Sequence, residues 1–316
     1  MTTIPPERLR SRKPRDHKPF DPRKVRYSPR WIGAGLGLSG LGLLAIKRGG
    51  WPVTIGLGAT AIAGAAYARF IEPRYPKIEH VTVQLPDLPP QLDGLRIGQL
   101  SDFHLGHPYT HENTRWAVRQ IMAEAPELLV LTGDFVSFDH AIAQLPEALD
   151  MLHAPLGCYA VLGNHDYWEG AAMIAGHLAT HGTKLLLNQH QLLEWRGTTF
   201  AIAGLDDIWD GTPDMDQALK GLPANTFTLL LCHAPDFAQT AAHYPVALQF
   251  SGHTHGGHMQ FPGLGSFCLP MHGVNFAAGL YPVGRMQLYV SRGLGGMPLR
   301  FGCRPEATIV TLRKGA

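Results

Sequence analysis

Cysteine is scarce. Four occur in 316 residues, Cys158, Cys232, Cys268 and Cys303, and none belongs to a CxxC pair. That excludes a disulfide framework and a closed thiolate zinc site. Three of the four lie in or next to apolar runs and read as buried thiols of a reducing compartment. Charged residues are sparse too, at 16% of the chain, and the formal net charge of +2 hides an asymmetry. Residues 1–30 carry ten Arg and Lys against Glu7, Asp16 and Asp21, a net of 10 − 3 = +7. The remainder holds 27 − 10 = 17 basic and 25 − 3 = 22 acidic residues, a net of −5. A mildly acidic folded part lacks the basic patch of a DNA-binding domain, so no nucleic-acid partner is expected.

Two long stretches lack charge altogether: residues 31–46, WIGAGLGLSGLGLLAI, and residues 51–68, WPVTIGLGATAIAGAAYA. With 16 and 18 residues they are at or just under the length that spans a bilayer. Glycine is a poor choice inside a soluble helix. Between membrane helices it permits close packing, as at Gly33 and Gly37 or Gly56, Thr60 and Gly64. A membrane hairpin over residues 31–70 is therefore expected, with the bilayer as partner. A single anchor with an interfacial segment is a second reading, and a signal peptide cleaved near Ala66-Tyr67-Ala68 a third. The basic tail belongs in the cytoplasm, and a hairpin returns the chain there, in keeping with Arg69, Arg74 and Lys77. A single span would place the remainder outside. Residues 1–30 show no apolar period and read as a disordered tail suited to anionic head groups. Residues 71–94, rich in proline, read as a connector.

From residue 95 to 316 the pattern changes to one domain. Short β-type runs end in polar residues: LRIGQL before SDFH, ELLVL before TGD, CYAVL before GNHD, TLLLC before His233, and ALQF before SGHTH. Helical stretches such as His111–Glu124 and Ala171–His181 lie between several of them. This predicts an α/β domain with mixed sheets and its site on the loops beyond the strand ends.

Those five strand ends carry Asp102, His104, Asp134, Asn164, His165, His233, His253 and His255. Oxygen and imidazole donors suit divalent Mn, Fe, Zn or Co. Even seven ligands from this set of eight are too many for one ion with an open position. Two ions sharing a carboxylate use them well, and such pairs clamp both oxygens of an in-line displacement.

The ordered blocks, D-x-H (Asp102 to His104), GD (Gly133-Asp134), GNHD (Gly163 to Asp166), a lone His after a strand, and GHTH (Gly252 to His255), resemble the calcineurin-like metallophosphoesterase family over roughly residues 95–312. The resemblance implies a two-sheet β-sandwich flanked by helices. It implies that Asp102, His104 and His255 bind one ion, that Asn164, His233 and His253 bind the second, and that Asp134 bridges them. His165 then lies over the phosphate, and Asp166 orients it. Asp206 and Asp207 read as structural, His107 and His111 as surface residues, and His243 and His272 as bland. His258 stands where relatives more often carry glutamine; it either contacts the phosphate or faces water.

A membrane-anchored bacterial branch of the family is similar further, in the approach LRIGQLSDFH and the close Leu294–Arg313. That likeness implies an inner-membrane phosphodiesterase with a cytoplasmic catalytic domain. It also implies a lipid-linked phosphate substrate, in some members UDP-2,3-diacylglucosamine, cleaved to UMP and 2,3-diacylglucosamine 1-phosphate in lipid A biosynthesis. Another cell-envelope phosphate is the alternative substrate. A metal-binding scaffold without chemistry, or a nuclease, is the remote one. Residues 262–281 and 295–301 read either as an acyl-binding rim or as core loops.

Overall fold

A computed structural model describes residues 24–315. The first sheet draws on β2 (Lys77–Leu85), β3 (Arg96–Leu100), β4 (Leu128–Thr132), β5 (Cys158–Val161) and β6 (Thr183–Leu185), which follow a short β1 (Val25–Tyr27). The second draws on β7 (Gln189–Trp195), β8 (Thr198–Gly204), β9 (Thr228–Leu231) and β10 (Leu248–Ser251). Short β11 (Gln260–Phe261), β12 (Gly265–Ser266) and β13 (Cys268–Pro270) precede β14 (Gly279–Val283), β15 (Met286–Val290) and β16 (Glu306–Lys314). The sheets run β2-β16-β3-β4-β5-β6 and β14-β15-β10-β9-β8-β7. Both are mixed: β3 to β6 are parallel and β16 is antiparallel to β3, while β8, β9, β10 and β15 are parallel between two antiparallel edges.

The central strands are apolar without alternation because both their faces are covered. Leu128 and Val130 of β4 meet Phe200, Leu229, Leu231 and Phe250 of the opposite sheet. Leu129 and Leu131 of the same strand point the other way, into a core with Val118, Ile121 and Leu178. Those residues belong to helices α2 and α5 among α1 (Pro29–Ala66), α2 (Thr110–Ala123), α3 (Leu145–Leu149), α4 (Asn164–Glu169) and α5 (Ala171–Thr180). In α2 the buried positions 110, 113, 114, 117, 118 and 121 make one helical stripe. The result is the expected α/β sandwich of mixed sheets flanked by helices. Below the strand ends, Gln99 donates to Thr132 Oγ1 at 3.0 Å and to the Ser251 carbonyl at 2.9 Å, tying one sheet to the other.

Two boundaries differ from the sequence reading. The segment read as a connector supplies β2, an edge strand paired with β16 from Lys77↔Glu306 to Leu85↔Lys314. Prolines cluster after it, at 86, 89 and 90, and mask the KIEHVTVQL alternation. The tail expected to be disordered is ordered from residue 24. There β1 pairs antiparallel with β13, Val25 facing Pro270 and Tyr27 facing Cys268. Backbone pairing of this kind leaves no trace in composition. Residues 1–23 lie outside the described part.

The apolar runs join in α1, which is broken at Gly50 (φ 64°, ψ −163°), a left-handed position that suits glycine. The ring centroids of Trp31, Phe261, Phe301 and Tyr67 follow one another at 6.5, 6.2 and 6.2 Å. Trp31 and Tyr67 are therefore no more than about 19 Å apart by those steps. A straight helix between them would span about 54 Å at 1.5 Å per residue. The segment folds back. At Gly33, Gly37, Gly56 and Gly64, expected to let the arms pack closely, an added Cβ would meet nothing within 4 Å beyond the helix itself. Among the described residues, one helical stretch, Ile46–Arg74, is long and apolar enough to cross a membrane, and only 6% of its apolar window is buried.

Candidate metal centre

The strand-end loops carry an unusual backbone. Asp102 (φ 52°), His104 (46°), Asp134 (55°), His253 (72°) and His255 (52°) are all left-handed. Few non-glycine residues adopt this conformation, although Asp and His do so more readily than most. Five of the seven predicted ligands doing so means that the surrounding structure holds them there. Backbone bonds fasten these loops side by side: Asp102 N–H to the Gly133 carbonyl at 2.9 Å, and His104 N–H to the Asp134 carbonyl at 3.0 Å. The His253 N–H donates to Asp102 Oδ1 at 3.0 Å, and the His165 N–H to Asp134 Oδ1 at 3.0 Å. Glycine is needed where the loops touch. A Cβ on Gly252 would overlap Ser101 Oγ and Asp102 Oδ2, and one on Gly163 would overlap Asp134 Oδ1.

The predicted residues converge. Asp102, His104 and His255 bring ligand atoms together within 4.8 Å, as do Asp134, His233 and His253, and as do His104, Asp134 and His165. Asp102 and Asp134 are buried, at 0% and 1% exposure. Three imidazole nitrogens face these carboxylates: His104 Nε2 is 3.4 Å and His233 Nε2 3.2 Å from Asp134 Oδ2, and His255 Nε2 is 3.6 Å from Asp102 Oδ1.

The far side of each ring is fixed. His104 Nδ1 bonds Ser137 Oγ at 2.7 Å. His233 Nδ1 donates to the Thr132 carbonyl at 2.6 Å, and His253 Nε2 to the Met271 carbonyl at 2.8 Å. In the neutral rings these bonds leave the lone pairs on His233 Nε2 and His253 Nδ1. Those two atoms stand 3.1 Å apart. Two lone pairs at that distance need a proton or a cation between them. Asn164 Oδ1 and His104 Nε2 are likewise buried without a hydrogen-bond partner. The donor set thus fits divalent cations on an observation independent of the motif.

The site's own charges say what fills the gap without metal. Burial acts to lower the pKa of His233, but the Asp134, Asp102 and Asp207 carboxylates outweigh it and push it up to about 10. Burial raises Asp102 as well. Burial also acts to raise Asp134, and there the neighbouring histidine charges prevail and hold it well below the usual range. His253 and His165 fall to about 3, mainly by burial, with the charge of His233 adding to it.

Three sequence expectations need revision or completion, those for Asp166, His107 and His258. Asp166 does not orient His165. Its carboxylate accepts the backbone N–H of Asp134 at 2.8 Å, Phe135 at 2.7 Å and Gly163 at 2.9 Å, so it braces two strand-end loops. His165 Nδ1 is left without a hydrogen-bond partner. His107 is half-buried rather than superficial, its ring 5.2 Å from Phe138, with a pKa brought down to about 4 by burial. His258 stacks on His255 at 4.9 Å, with Nδ1 buried and unpaired. Asp206, read as structural, takes N–H groups from Asp207 and Thr212; Asp207 takes those of Trp209 and Asp210 on Oδ2, while its Oδ1 is buried without a hydrogen-bond partner. His111 pairs with Glu147 at 3.1 Å.

Sequence reasoning missed Ser137, which has no motif signal. It also missed Arg300, which lies in the closing segment and is 1% exposed. The Arg300 guanidinium donates to the His255 carbonyl at 2.9 Å and to the Gly295 carbonyl at 2.6 Å. Trp168 and Trp209 were missed as well; they stand 4.4 Å from His165 and 5.7 Å from His253.

Residues 95–257 match the calcineurin-like phosphoesterase family. The chain is 37% identical over 80% of its length, and 91% of the relative, to the uncharacterized metallophosphoesterase YkuE of Bacillus subtilis. It is 28% identical to the phosphodiesterase YaeI of Escherichia coli, over 79% of this chain and 93% of that one. It is 30% identical to the UDP-2,3-diacylglucosamine pyrophosphatase LpxG of Chlamydia trachomatis, over 77% of this chain and 91% of that one. The chain belongs to the calcineurin-like phosphoesterases. It is a phosphoester-hydrolysing enzyme of a family that uses a dinuclear divalent metal centre.

Two outcomes are expected. With His233 protonated up to about pH 10 in the stripped protein, reloading metal at pH 8 releases about one proton, and affinity rises with pH below that value. Titration calorimetry in buffers of different ionisation enthalpy measures this; a proton count of zero would contradict the reading. Asp166→Ala strands three buried N–H groups at about 1–3 kcal/mol each, and lowers the thermal midpoint by about 6 °C or more. Asp166→Asn, which keeps an acceptor, falls less.

Proposed function

We propose that Asp102, His104 and His255 hold one divalent ion, that Asn164, His233 and His253 hold the second, and that Asp134 lies between them. The observation that supports this best is the pair of imidazole lone pairs 3.1 Å apart beside Asp134, with the Asn164 oxygen buried and unpartnered nearby. Two such ions supply the charge that polarises a phosphoryl oxygen and acidifies a water.

The protein's own residues do the rest. The Thr132 and Met271 carbonyls hold His233 and His253 in the tautomers that face inward, and Ser137 fixes the orientation of the His104 ring. His165, with its pKa near 3, is neutral at pH 7, so its role is to donate a hydrogen bond to the phosphoryl group rather than to carry a charge. Its backbone N–H is tied to Asp134, which sets its position relative to the centre.

The substrate in this reading is a lipid-linked phosphodiester or pyrophosphate, and specifically UDP-2,3-diacylglucosamine, cleaved to UMP and 2,3-diacylglucosamine 1-phosphate. LpxG, named for that pyrophosphatase activity, supports it at 30% identity. YaeI, named a phosphodiesterase, supports the broader reading of another envelope phosphate. We also read the folded-back apolar segment as a hairpin in the bacterial inner membrane, with the catalytic domain on the cytoplasmic side. The nearness of Trp31 to Tyr67 supports that reading, as does the exposure of the stretch Ile46–Arg74.

The protein is purified in detergent, stripped of metal and given Mn²⁺. UMP release from UDP-2,3-diacylglucosamine is expected, reduced at least about 100-fold by Asn164→Ala or His165→Ala. Cleavage of bis(p-nitrophenyl) phosphate without UMP release would retain the phosphodiesterase and remove the lipid substrate. A periplasm-active reporter fused to the C-terminus should be silent; strong activity would overturn the hairpin.

A further inference from the structure

An open cavity of about 1020 Å³ lies between the segment ahead of α1 and the loop that follows the His255 strand end. Arg26, Arg30, Phe261, Leu264, Leu269 and Val274 are among its lining residues. We propose that this cavity receives an acyl chain of an amphiphile that carries an anionic phosphate. The proposal rests on the lipid-linked reading of the substrate given above.

Four observations select that occupant. The wall is mainly apolar, and two of its polar groups are engaged: Gln260 Nε2 donates to the Gly256 carbonyl at 3.0 Å, and the Gly265 carbonyl accepts from Trp31 Nε1 at 3.0 Å. No acidic residue lines the cavity among the described residues, whereas two arginines do, which favours a negative head group. Ser28, Pro29 and Arg30 line it and also begin the apolar segment, so the cavity opens where that segment starts. Nearby apolar side chains stay exposed: Phe261 at 47%, Leu280 at 39%, Met271 at 38% and Tyr27 at 37%.

The cavity wall is also coupled to the metal centre. The Met271 N–H donates to the Lys24 carbonyl at 2.9 Å, extending the β1–β13 ladder. The Met271 carbonyl in turn holds His253. Thr254, between the two histidines, donates to the Ala277 carbonyl from its hydroxyl at 2.5 Å. An occupant wedged between β1 and the 260–281 loop therefore touches the same loop that seats His253.

The test uses the full chain in detergent micelles with metal bound. The probes are phosphatidic acid and phosphatidylcholine, each with a diazirine in one acyl chain, followed by peptide mapping. Phosphatidic acid is expected to label peptides covering residues 24–30 and 260–281. Leu264→Trp, which fills the cavity, should cut that labelling at least fivefold with an unchanged thermal midpoint. Arg26→Glu with Arg30→Glu should lower labelling by phosphatidic acid more than by phosphatidylcholine. Labelling confined to the apolar helix, or untouched by Leu264→Trp, overturns the proposal. Specific labelling in a protein that releases no UMP supports the cavity while removing the lipid substrate; UMP release without cavity labelling does the reverse.

Discussion

The carboxylate of Asp134 is the constraint around which the rest is arranged. It is buried, and a lone carboxylate at such a depth is expensive. Everything near it offsets that cost. One oxygen accepts the His165 N–H, and the other faces the nitrogens of His104 and His233. The loops that bring those groups in come from both sheets, so the sandwich core under Gln99 and the charge above it depend on each other. The strained φ angles of the strand ends are the local cost of that convergence, and the backbone bonds between the loops sustain it.

Much of this was legible in the sequence because metal-binding chemistry narrows the choice of residues. Asp, His and Asn at five strand ends pointed to the cluster of ligand atoms that forms. The central strands were readable for a different reason: burial on both faces makes them continuous apolar runs. What escaped depends on three-dimensional pairing. The carbonyls of Thr132 and Met271 set the tautomers of His233 and His253, Ser137 orients the His104 ring, and a carbonyl has no sequence signature. Asp166 was visible in GNHD, but whether it faces an imidazole or a row of amides is decided by the start of α4 lying against the Asp134 loop.

The ends of the chain were harder still. Residues 24–30 look like a basic tail because β1 is held by main-chain pairing, and β2 looks like a linker because prolines flank it, although Val83 and Leu85 are buried in the core. Their membership in the domain comes from ladders whose partners lie more than two hundred residues away. The closing strand β16 is the clearest case: it enters between β2 and β3, so the first sheet is incomplete until the chain is nearly finished.

The fold-back at Gly50 has a mechanical meaning. The apolar segment leaves the domain at Ser28, whose N–H donates to the Phe267 carbonyl, and rejoins it at Tyr67, packed against Phe301. A domain on a single flexible tether swivels and samples every orientation. An apolar segment fastened to its domain at both ends, across a short aromatic seam, has far fewer orientations open to it. The angle at which the apolar arms leave the domain is thereby limited by the fold itself.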